Sequence, residues 1–483
     1  MNSQKSSHHW LMLAFLFQIP TFAFSQVKED VLRQVDSQSE KAWGNAQKIW
    51  DYAEPGYQEI QSAKLLKDWL SSEGFSIESG VADIPTAFTA TYGKGEPVIA
   101  IMGEFDALPG LAQNSVPYQD SPQNKYYGHG CGHHLFGVAS TSAAIAVAKS
   151  IKAGTIQGTV RFYGCPAEEG GSAKVFMVRA GLFDDVSAAL HWHPSSRNAA
   201  GDRSTLARIA VKFRFHGISA HAAAAPDQGR SALDAVELTN FGTQLLREHV
   251  PDGTRIHYII TSGGDAPNVV PNFAEVYYYV RHPSSDVVRD VYERVVKCAK
   301  AGAMATETRL EIRNEGGIVE ILPNQALSEI THRNLVELNQ LKYDEDEIQF
   351  ALKLQQTLSS PLSLDSIQTV INRHGETGQG STDVGDVSWV VPTTGFNTAC
   401  WVPGTPGHSW QAVACGKTTI ARKGMLLAAR VLATSAVDML QNPEVLEQAN
   451  QELQRRLGER SYKPLISDSQ NPPLEYRNKT TAQ

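Results

Sequence analysis

The chain has 483 residues, of which 43 are Lys or Arg and 51 are Asp or Glu, so its formal net charge is −8. The composition is that of a globular protein, and the length predicts about two or three compact units rather than one. An acidic chain without a Lys/Arg cluster argues against nucleic acid or an anionic membrane surface as the main partner, and it favours a small-molecule or peptide substrate.

The first 25 residues have the features of a targeting segment. Lys5 precedes an apolar run over residues 10–17, and Ala23-Phe24-Ser25 is typical of a signal-peptidase cleavage site. This order predicts a signal peptide over residues 1–25 and export to the periplasm or the medium. The alternative is a short buried N-terminal helix, because the apolar run is too short to span a bilayer. No later run approaches membrane length, so no membrane span is expected.

The next part of the chain alternates helices and strands. The hydrophobic pattern predicts helices over residues 27–53, 61–73, 134–152 and 172–180, and strands over 86–92, 98–102, 159–163 and a run ending at 194. Such alternation is typical of an α/β fold whose mixed sheet has parallel pairs and helices on both faces. Polar residues fall where the predicted strands end, which is where active sites of such sheets lie.

A different order of elements fills residues 205–316. The pattern predicts strands over 207–216, 255–261, 274–281 and 308–313, and helices over 231–248 and 285–301. This β-α-β-β-α-β order is the ferredoxin-like plan. It predicts a lid domain inserted between two parts of one catalytic domain, residues 26–204 and 317–460. The polar, Pro-containing residues 461–483 are expected to form a tail.

A cysteine and a histidine lie two positions apart where the Ala-rich helix begins. Cys131 and His133 can place a thiolate and an imidazole on one metal ion. A buried Cys beside a helix-capping His is an equally simple interpretation of this pattern. The five cysteines are odd in number and irregularly spaced, which argues against a disulfide framework and leaves at least one thiol free.

Two consecutive carboxylates, Glu168 and Glu169, follow a predicted strand. Consecutive side chains diverge, so one can bind a metal while its neighbour acts as a general base. The alternative is a solvated acidic start of a helix. The glycines around the pair and the strand before it favour the catalytic interpretation.

Three further histidines complete a candidate ligand set. His191 and His193 lie two positions apart and so on one face of a strand, and His408 lies on a Pro- and Gly-containing loop. Singly, a pair of core histidines and an ordinary loop histidine are the simpler interpretations. Together, the residues offer S, N and O ligands for two divalent ions, zinc or manganese: Cys131, His133, Glu169, His193 and His408. Such ions would polarise an amide carbonyl and acidify a water, whose proton Glu168 would carry to the leaving nitrogen.

These residues resemble the aminoacylase and carboxypeptidase family of co-catalytic metallohydrolases, in its amidohydrolase branch. The likeness extends over nearly the whole chain beyond residue 25, and it includes the runs at residues 103–108, 128–133, 162–166, 381–386 and 404–406. The resemblance implies a catalytic α/β domain with an inserted ferredoxin-like lid that mediates dimers. It also implies that Glu168 is the general base, and that Asp106 orients a metal ligand unless it only stabilises a turn.

The resemblance assigns three residues of the lid to the substrate. His221 would stabilise the oxyanion, often across the dimer, whereas Asn268 and Arg281 would contact the substrate's amide and carboxylate. Without the resemblance, His221 is a surface-loop histidine and Arg281 is a strand-end ion pair.

The chain departs from the family pattern at two places. His134 stands where relatives usually carry Asp or Asn. Both His191 and His193 are present, and we take His193 as the metal ligand and His191 as its substitute.

The expected function is that of a metal-dependent amidohydrolase acting on N-acyl amino acids, with p-aminobenzoyl-glutamate as one such substrate. A metallo-dipeptidase or carboxypeptidase with the same site is one alternative. A non-catalytic partner subunit is another, because the lid would serve a homodimer or a heterodimer with a related subunit equally well.

Overall fold

The structure is a computed structural model that describes residues 19–477, with side chains from residue 26 onward. Residues 1–18 of the predicted signal peptide lie outside the described residues. Residues 19–25 form the first turns of a helix that continues to Ser37.

The described chain forms strands and helices in alternation. The strands are β1 (Ser76–Ser79), β2 (Phe88–Lys94), β3 (Val98–Glu104), β4 (Leu108–Pro109), β5 (Tyr127–Gly128), β6 (Gly158–Cys165), β7 (Ala188–Ser195), β8 (Asn198–Ala200), β9 (Ala207–His216), β10 (Arg255–Ser262), β11 (Phe273–His282), β12 (Arg309–Ile318), β13 (Val370–Asn372) and β14 (Thr393–Ala399). The helices are α1 (Ile19–Ser37), α2 (Ser39–Tyr52), α3 (Ile60–Ser72), α4 (His133–Lys152), α5 (Ala173–Arg179), α6 (Ala232–Leu246), α7 (Ser285–Ala305), α8 (Gln325–Leu338), α9 (Glu345–Gln355), α10 (Val384–Ser388), α11 (Trp410–Cys415), α12 (Thr419–Gln441) and α13 (Pro443–Leu457).

The catalytic domain is built on an 8-stranded sheet in the order β1-β2-β6-β3-β7-β14-β8-β13. Four neighbouring strands, β6, β3, β7 and β14, run parallel, while β1, β2 and β8 pair antiparallel with their inner neighbours. Alternate residues of the buried strand β3 enter different cores, since Ile99 packs with α4 and α12 whereas Ala100 packs with α5. Helices therefore cover both faces, which confirms the predicted α/β fold class.

The inserted lid has its own sheet of four antiparallel strands in the order β10-β11-β9-β12. Helices α6 and α7 contact each other and supply Val236 and Val295 to a core shared with these strands. This strand order, with both helices on one face, confirms the ferredoxin-like plan of the lid.

Two predicted features near the N-terminal half differ in the structure. The helix expected over residues 27–53 is two helices, α1 and α2, which meet at Gln38. Contrary to the expectation that no later run reaches membrane length, α4 is long and apolar enough to cross a bilayer, but its apolar window is 89% buried inside the protein. Its Ala-rich composition reflects close packing between the sheet and α12.

Residues 461–477 differ from the loose polar tail that the composition suggested. Leu465 and Ile466 are only 4% and 6% exposed, and they join the lid core and the α5 core respectively. Gly317 of β12 makes this packing possible, because a Cβ there would lie 2.5 Å from the Leu465 carbonyl oxygen. Two buried aliphatic side chains thus outweigh the polar composition of the segment.

Candidate metal centre

The candidate ligands gather where the parallel strands of the catalytic sheet end. Glu104 is the last residue of β3 and pairs in register with Cys165, the last residue of β6. His193 lies near the end of β7, and Glu168 follows β6 in the adjoining loop. Since parallel strands end at one edge, residues distant in sequence meet there, as the strand-end positions predicted.

Cys131 and His193 form one side of the centre. The Cys131 thiol lies 3.2 Å from His193 Nε2, and His193 Nδ1 donates to the Pro194 carbonyl oxygen at 2.7 Å. Because a carbonyl only accepts, Nδ1 carries the hydrogen and Nε2 keeps a free electron pair in the neutral ring. Burial, together with His133, lowers the pKa of His193 to about 4, so the ring is neutral near pH 7.

His133 is held by a buried carboxylate, as the sequence predicted for Asp106. His133 Nδ1 donates to Asp106 Oδ1 at 2.7 Å, and Asp106 Oδ2 accepts from the Glu169 backbone N–H at 2.9 Å. Burial alone would lower the pKa of His133, but Asp106, Cys131 and Glu104 together raise it well above its ordinary value. This contact fixes the ring so that Nε2 faces the centre.

Glu169 and His408 form the opposite side. His408 Nε2 lies 3.0 Å from Glu169 Oε1, and this contact lowers the pKa of Glu169 against the effect of burial. The His408 N–H donates to the Gly130 carbonyl oxygen at 2.9 Å, which ties its loop to the start of α4. His408 has φ of 56°, a left-handed conformation that costs energy for a non-glycine residue and is often found at functional sites.

Three groups of side chains among the described residues could hold a metal ion, with ligand atoms within 4.8 Å of one another. They are Cys131, His133 and His193; Cys131, Glu169 and His408; and Glu104, His133 and Glu168. The first two groups share the Cys131 sulfur, an arrangement in which one thiolate bridges two ions.

The donor atoms themselves fit metal ions. His133 Nε2 and Glu169 Oε1 are buried without a hydrogen bond, although Glu104 and His408 lie 3.1 Å and 3.0 Å from them. A buried acceptor without a donor is costly, and a cation at this point would satisfy both atoms. The predicted substitute ligand, His191, belongs to none of these groups; its ring lies against Gly395, and burial lowers its pKa to about 3.

Glu168 lines the cavity beside the ligands. Burial raises its pKa well above the ordinary value, and the negative charges of Glu104 and Glu169 raise it further. The turn before it is strained, because Ala167 has φ of 54° and its carbonyl accepts from the Ser172 N–H at 2.8 Å. A carboxyl group that readily holds a proton suits a residue that must both accept and deliver one.

The cavity has a volume of about 610 Å³ and contains an unusual number of arginines: Arg203, Arg208, Arg281, Arg373 and Arg477. Arg203, Arg208 and Arg281 have no ion-pair partner among residues 26–477, whereas Arg373 pairs with Glu376 at 2.8 Å. The metal-ligand side of the cavity is thus acidic, and the side formed by the lid and neighbouring loops is cationic.

The structure places the three predicted lid residues differently. Arg281 lines the cavity. His221 and Asn268 are exposed on adjacent lid loops, joined by a hydrogen bond from the Ala222 N–H to the Asn268 carbonyl at 2.9 Å, and neither lines the cavity of its own chain. Their assignment to substrate stays a prediction that requires a second chain.

His134, the departure next to the ligands, points away from them. Its Nε2 donates to the Gly416 carbonyl oxygen at 2.8 Å, and burial lowers its pKa well below the ordinary value. It therefore acts as a neutral core histidine.

Sequence reasoning missed a buried cation beside the centre. Lys174 Nζ donates to Glu104 Oε1 and to Asp383 Oδ1, each at 2.6 Å, and all three residues are fully buried or nearly so. The two carboxylates raise the pKa of Lys174 well above its ordinary value despite burial. A lone lysine within the apolar run of α5 was the available signal, because such a residue is buried only when paired.

Comparison with known proteins agrees with this architecture. Residues 204–307 match the model of the M20 peptidase dimerisation domain, which falls on the lid. The crystal structure of a dinuclear metal-binding M20 peptidase from Bacillus subtilis has the same fold, with a TM-score of 0.55 and 17% identity over 84% of this chain and 99% of that chain.

Two relatives cover nearly the whole chain. One of the two kinds of chain that make up the p-aminobenzoyl-glutamate hydrolase of Escherichia coli (strain K12) is 43% identical over 440 residues, which are 85% of this chain and 91% of that protein. The Xaa-Arg dipeptidase of Mus musculus is 28% identical over 448 residues, which are 90% of this chain and 93% of that protein.

Proposed function

The chain belongs to the M20 family of amide-bond hydrolases, together with its p-aminobenzoyl-glutamate hydrolase relative, and we propose that it hydrolyses N-acyl acidic amino acids such as p-aminobenzoyl-glutamate. The observation that carries this proposal is the cationic side of the cavity, which faces the candidate ligands. An N-acyl glutamate presents two carboxylates next to its amide, and unpaired arginines are suited to bind them.

Two divalent ions, zinc or manganese, fit the ligand set. His133 and His193 would hold one ion, Glu169 and His408 would hold the other, and Cys131 would bridge them. When bound, these ions polarise the scissile carbonyl and acidify a water. Thiolate favours zinc on softness, although availability often decides which metal a site contains.

Glu168 is the general base in this proposal. It takes a proton as the water oxygen attacks the carbonyl carbon, and it delivers that proton to the nitrogen as the carbon–nitrogen bond breaks. The products are a carboxylic acid and a free amino acid. Its position at the edge of the cavity, next to Glu169, is compatible with both transfers.

The arginines would bind and orient the leaving amino acid. Arg208 and Arg281 lie side by side on the lid, and Arg203 lines the cavity near Arg373, whose charge, after burial, lowers the pKa of Arg203. An anion held between such groups relieves their mutual repulsion. Two separate cationic places in one cavity match the two carboxylates of glutamate.

The same charges count against the dipeptidase alternative in the form suggested by the murine relative. A substrate with an arginine side chain would bring a further cation into a cavity that already holds unpaired guanidinium groups. The complete ligand set and Glu168 count against a non-catalytic partner subunit.

The lid is proposed to pair two chains, identical or related. Phe241 and Leu245 of α6 are 64% and 59% exposed, and Ile259 of the edge strand β10 is 61% exposed. Burial of this apolar face in a dimer would allow His221 and Asn268 of one chain to reach the cavity of the other and contact the oxyanion and the substrate amide. We also propose that residues 1–25 are a signal peptide and that the protein is exported.

The test is amine release by the purified mature protein, loaded with zinc or manganese, from a panel of N-acyl amino acids and dipeptides. We expect turnover of N-acyl glutamates and aspartates, with little turnover of acyl-arginine. Glu168→Gln should abolish turnover but retain metal, whereas Glu78→Gln, an exposed control on β1, should retain full activity. Turnover limited to cationic dipeptides, or an active Glu168→Gln variant, would overturn the proposal.

A further inference from the structure

The C-terminal segment, residues 461–477, connects the lid to the catalytic domain, and we call it the strap. On the lid, Arg289 of α7 donates to the Lys463 carbonyl at 2.7 Å, and Gln470 donates to the Asn314 carbonyl of β12 at 3.2 Å. On the catalytic domain, Arg179 of α5 donates to the Gln470 carbonyl at 2.7 Å. The strap is therefore fastened to both domains along its length.

The strap ends at the candidate metal centre. The Arg477 guanidinium donates to the Glu169 carbonyl oxygen at 2.5 Å, and the Tyr476 hydroxyl lies 3.5 Å from the same oxygen. The Glu169 N–H donates to Asp106 on the other side at 2.9 Å. The backbone of Glu169 is thus held at its N–H by the residue that orients His133, and at its carbonyl by the strap.

The loop that the strap contacts needs such support. Ala167 and Gly170, on either side of the Glu168–Glu169 pair, have φ of 54° and 120°, which are conformations that persist only when the surroundings fix them. Tyr57 also holds this loop, because its hydroxyl donates to the Gly171 carbonyl at 2.7 Å and its ring packs edge-to-face on Tyr476 at 5.6 Å.

The fold leaves room for the strap. A Cβ on Gly56 would lie 2.2 Å from the Tyr476 hydroxyl, and a Cβ on Gly170 would lie 3.2 Å from the Tyr476 ring. Arg477 lines the cavity, has no carboxylate ion pair among the described side chains, and stacks on Tyr476 with 4.8 Å to the ring centroid. A partly buried arginine whose short contact is to a backbone carbonyl holds a loop rather than pairing with a charge.

We propose that the strap is a positioning element of the active site, in which Arg477 fixes the Glu168–Glu169 turn through the Glu169 carbonyl. Arg477 is a positioning residue, because it acts through Glu169 and not on the reacting atoms. The activity readout of this proposal rests on the proposed amidohydrolase function, whereas its metal-binding readout does not.

The first experiment compares two truncated chains, one ending at Arg477 and one ending at Glu475. The first should keep the full kcat, whereas the second, which lacks Tyr476 and Arg477, should lose about 10- to 100-fold in kcat, as for removal of residues that orient ligands. Arg477→Ala should lower kcat similarly with a smaller change in KM, and Arg477→Lys should recover part of the loss. Lys463→Ala, an exposed strap residue, is the matched control.

The second experiment measures binding of zinc to the metal-free protein by calorimetry. Arg477→Ala should weaken one of two ions by about tenfold or more, because Glu169 belongs to one half of the centre only. Wild-type kcat together with wild-type zinc affinity in Arg477→Ala, or equal losses in Lys463→Ala, would overturn the proposal. If the wild-type protein hydrolyses no member of the panel, the proposed function fails, and the zinc titration alone decides the role of the strap.

Discussion

Arg208 of β9 and Arg281 of β11 are direct cross-strand neighbours, and both guanidinium groups lie over the ring of Tyr279, at 4.9 Å and 5.3 Å from its centroid. Neither has an ion-pair partner among the described residues. Burial and the charge of Arg208 lower the pKa of Arg281. Like charges directly opposite each other on a sheet are destabilising, so this pair is a place where a bound anion stabilises the lid.

Arg208→Ala should therefore weaken substrate binding and also relieve repulsion in the free protein. We expect KM for an N-acyl glutamate to rise about tenfold to hundredfold, as for loss of a charged hydrogen bond. Glutamate should raise the thermal midpoint of the wild-type protein but not that of the variant. Arg309→Ala, an exposed residue of the same sheet, is the control. An unchanged KM in Arg208→Ala would remove this arginine from the substrate site.

Asp106 links the two halves of the centre, because it accepts from His133 Nδ1 and from the Glu169 N–H. Asp106→Asn keeps the size of the side chain but removes its charge and one of its two acceptor oxygens. We expect metal affinity or kcat/KM to fall by about 10- to 100-fold, the usual effect of losing a carboxylate that orients a histidine ligand. Asp68→Asn, on the exposed surface of α3, should have no effect. Calorimetric zinc titration and steady-state kinetics on both variants provide the measurement.

The buried ion network predicts a large effect on stability. Lys174→Met would leave Glu104 and Asp383 without their cation in the interior, and removal of one partner from a buried pair costs about 3–5 kcal/mol. We expect a clear fall in the urea midpoint of unfolding. The triple variant Lys174→Met, Glu104→Gln, Asp383→Asn should recover much of the loss, because no unpaired charge remains. If the single variant unfolds at the wild-type urea concentration, the network contributes nothing to stability.

The positions of the metal ligands followed from sequence because they sit at predictable ends of elements. Cys131 and His133 begin α4, Glu168 and Glu169 follow β6, and His193 lies near the end of β7. The choice between His191 and His193 was harder, since both point to one face of the strand. It depends on Cys131, whose sulfur lies 3.2 Å from His193 and whose position in space the strand pattern does not contain.

Contacts between remote segments were beyond the reach of sequence patterns. Lys174 pairs with Glu104 and with Asp383, 70 and 209 positions away, and Arg477 contacts Glu169 at a separation of 308. Periodicity reports which face of an element is buried, but it does not report which remote side chain meets it. The polar composition of residues 461–477 even favoured the wrong description, because two buried aliphatic residues and a few backbone hydrogen bonds hold the segment in place.

Metal binding should release protons, and the pKa shifts identify their source. Burial and Glu169 raise the pKa of the Cys131 thiol well above its ordinary value, and the pKa of His133 is also raised. Both groups are therefore protonated in the metal-free protein near pH 7 and must lose a proton to become ligands. His193, whose pKa is lowered to about 4, is already neutral and releases none.

Zinc affinity should accordingly increase with pH across the neutral range, because protons compete with the metal for Cys131 and His133. Zinc titrations in buffers of different ionisation enthalpy give the number of protons released per ion. Cys131→Ser should release fewer protons and bind zinc more weakly, whereas Cys298→Ala, a partly exposed cysteine of α7, should behave as wild type. If zinc binding releases no protons at pH 7, or if Cys131→Ser leaves the number unchanged, the thiol of Cys131 is not the bridging ligand.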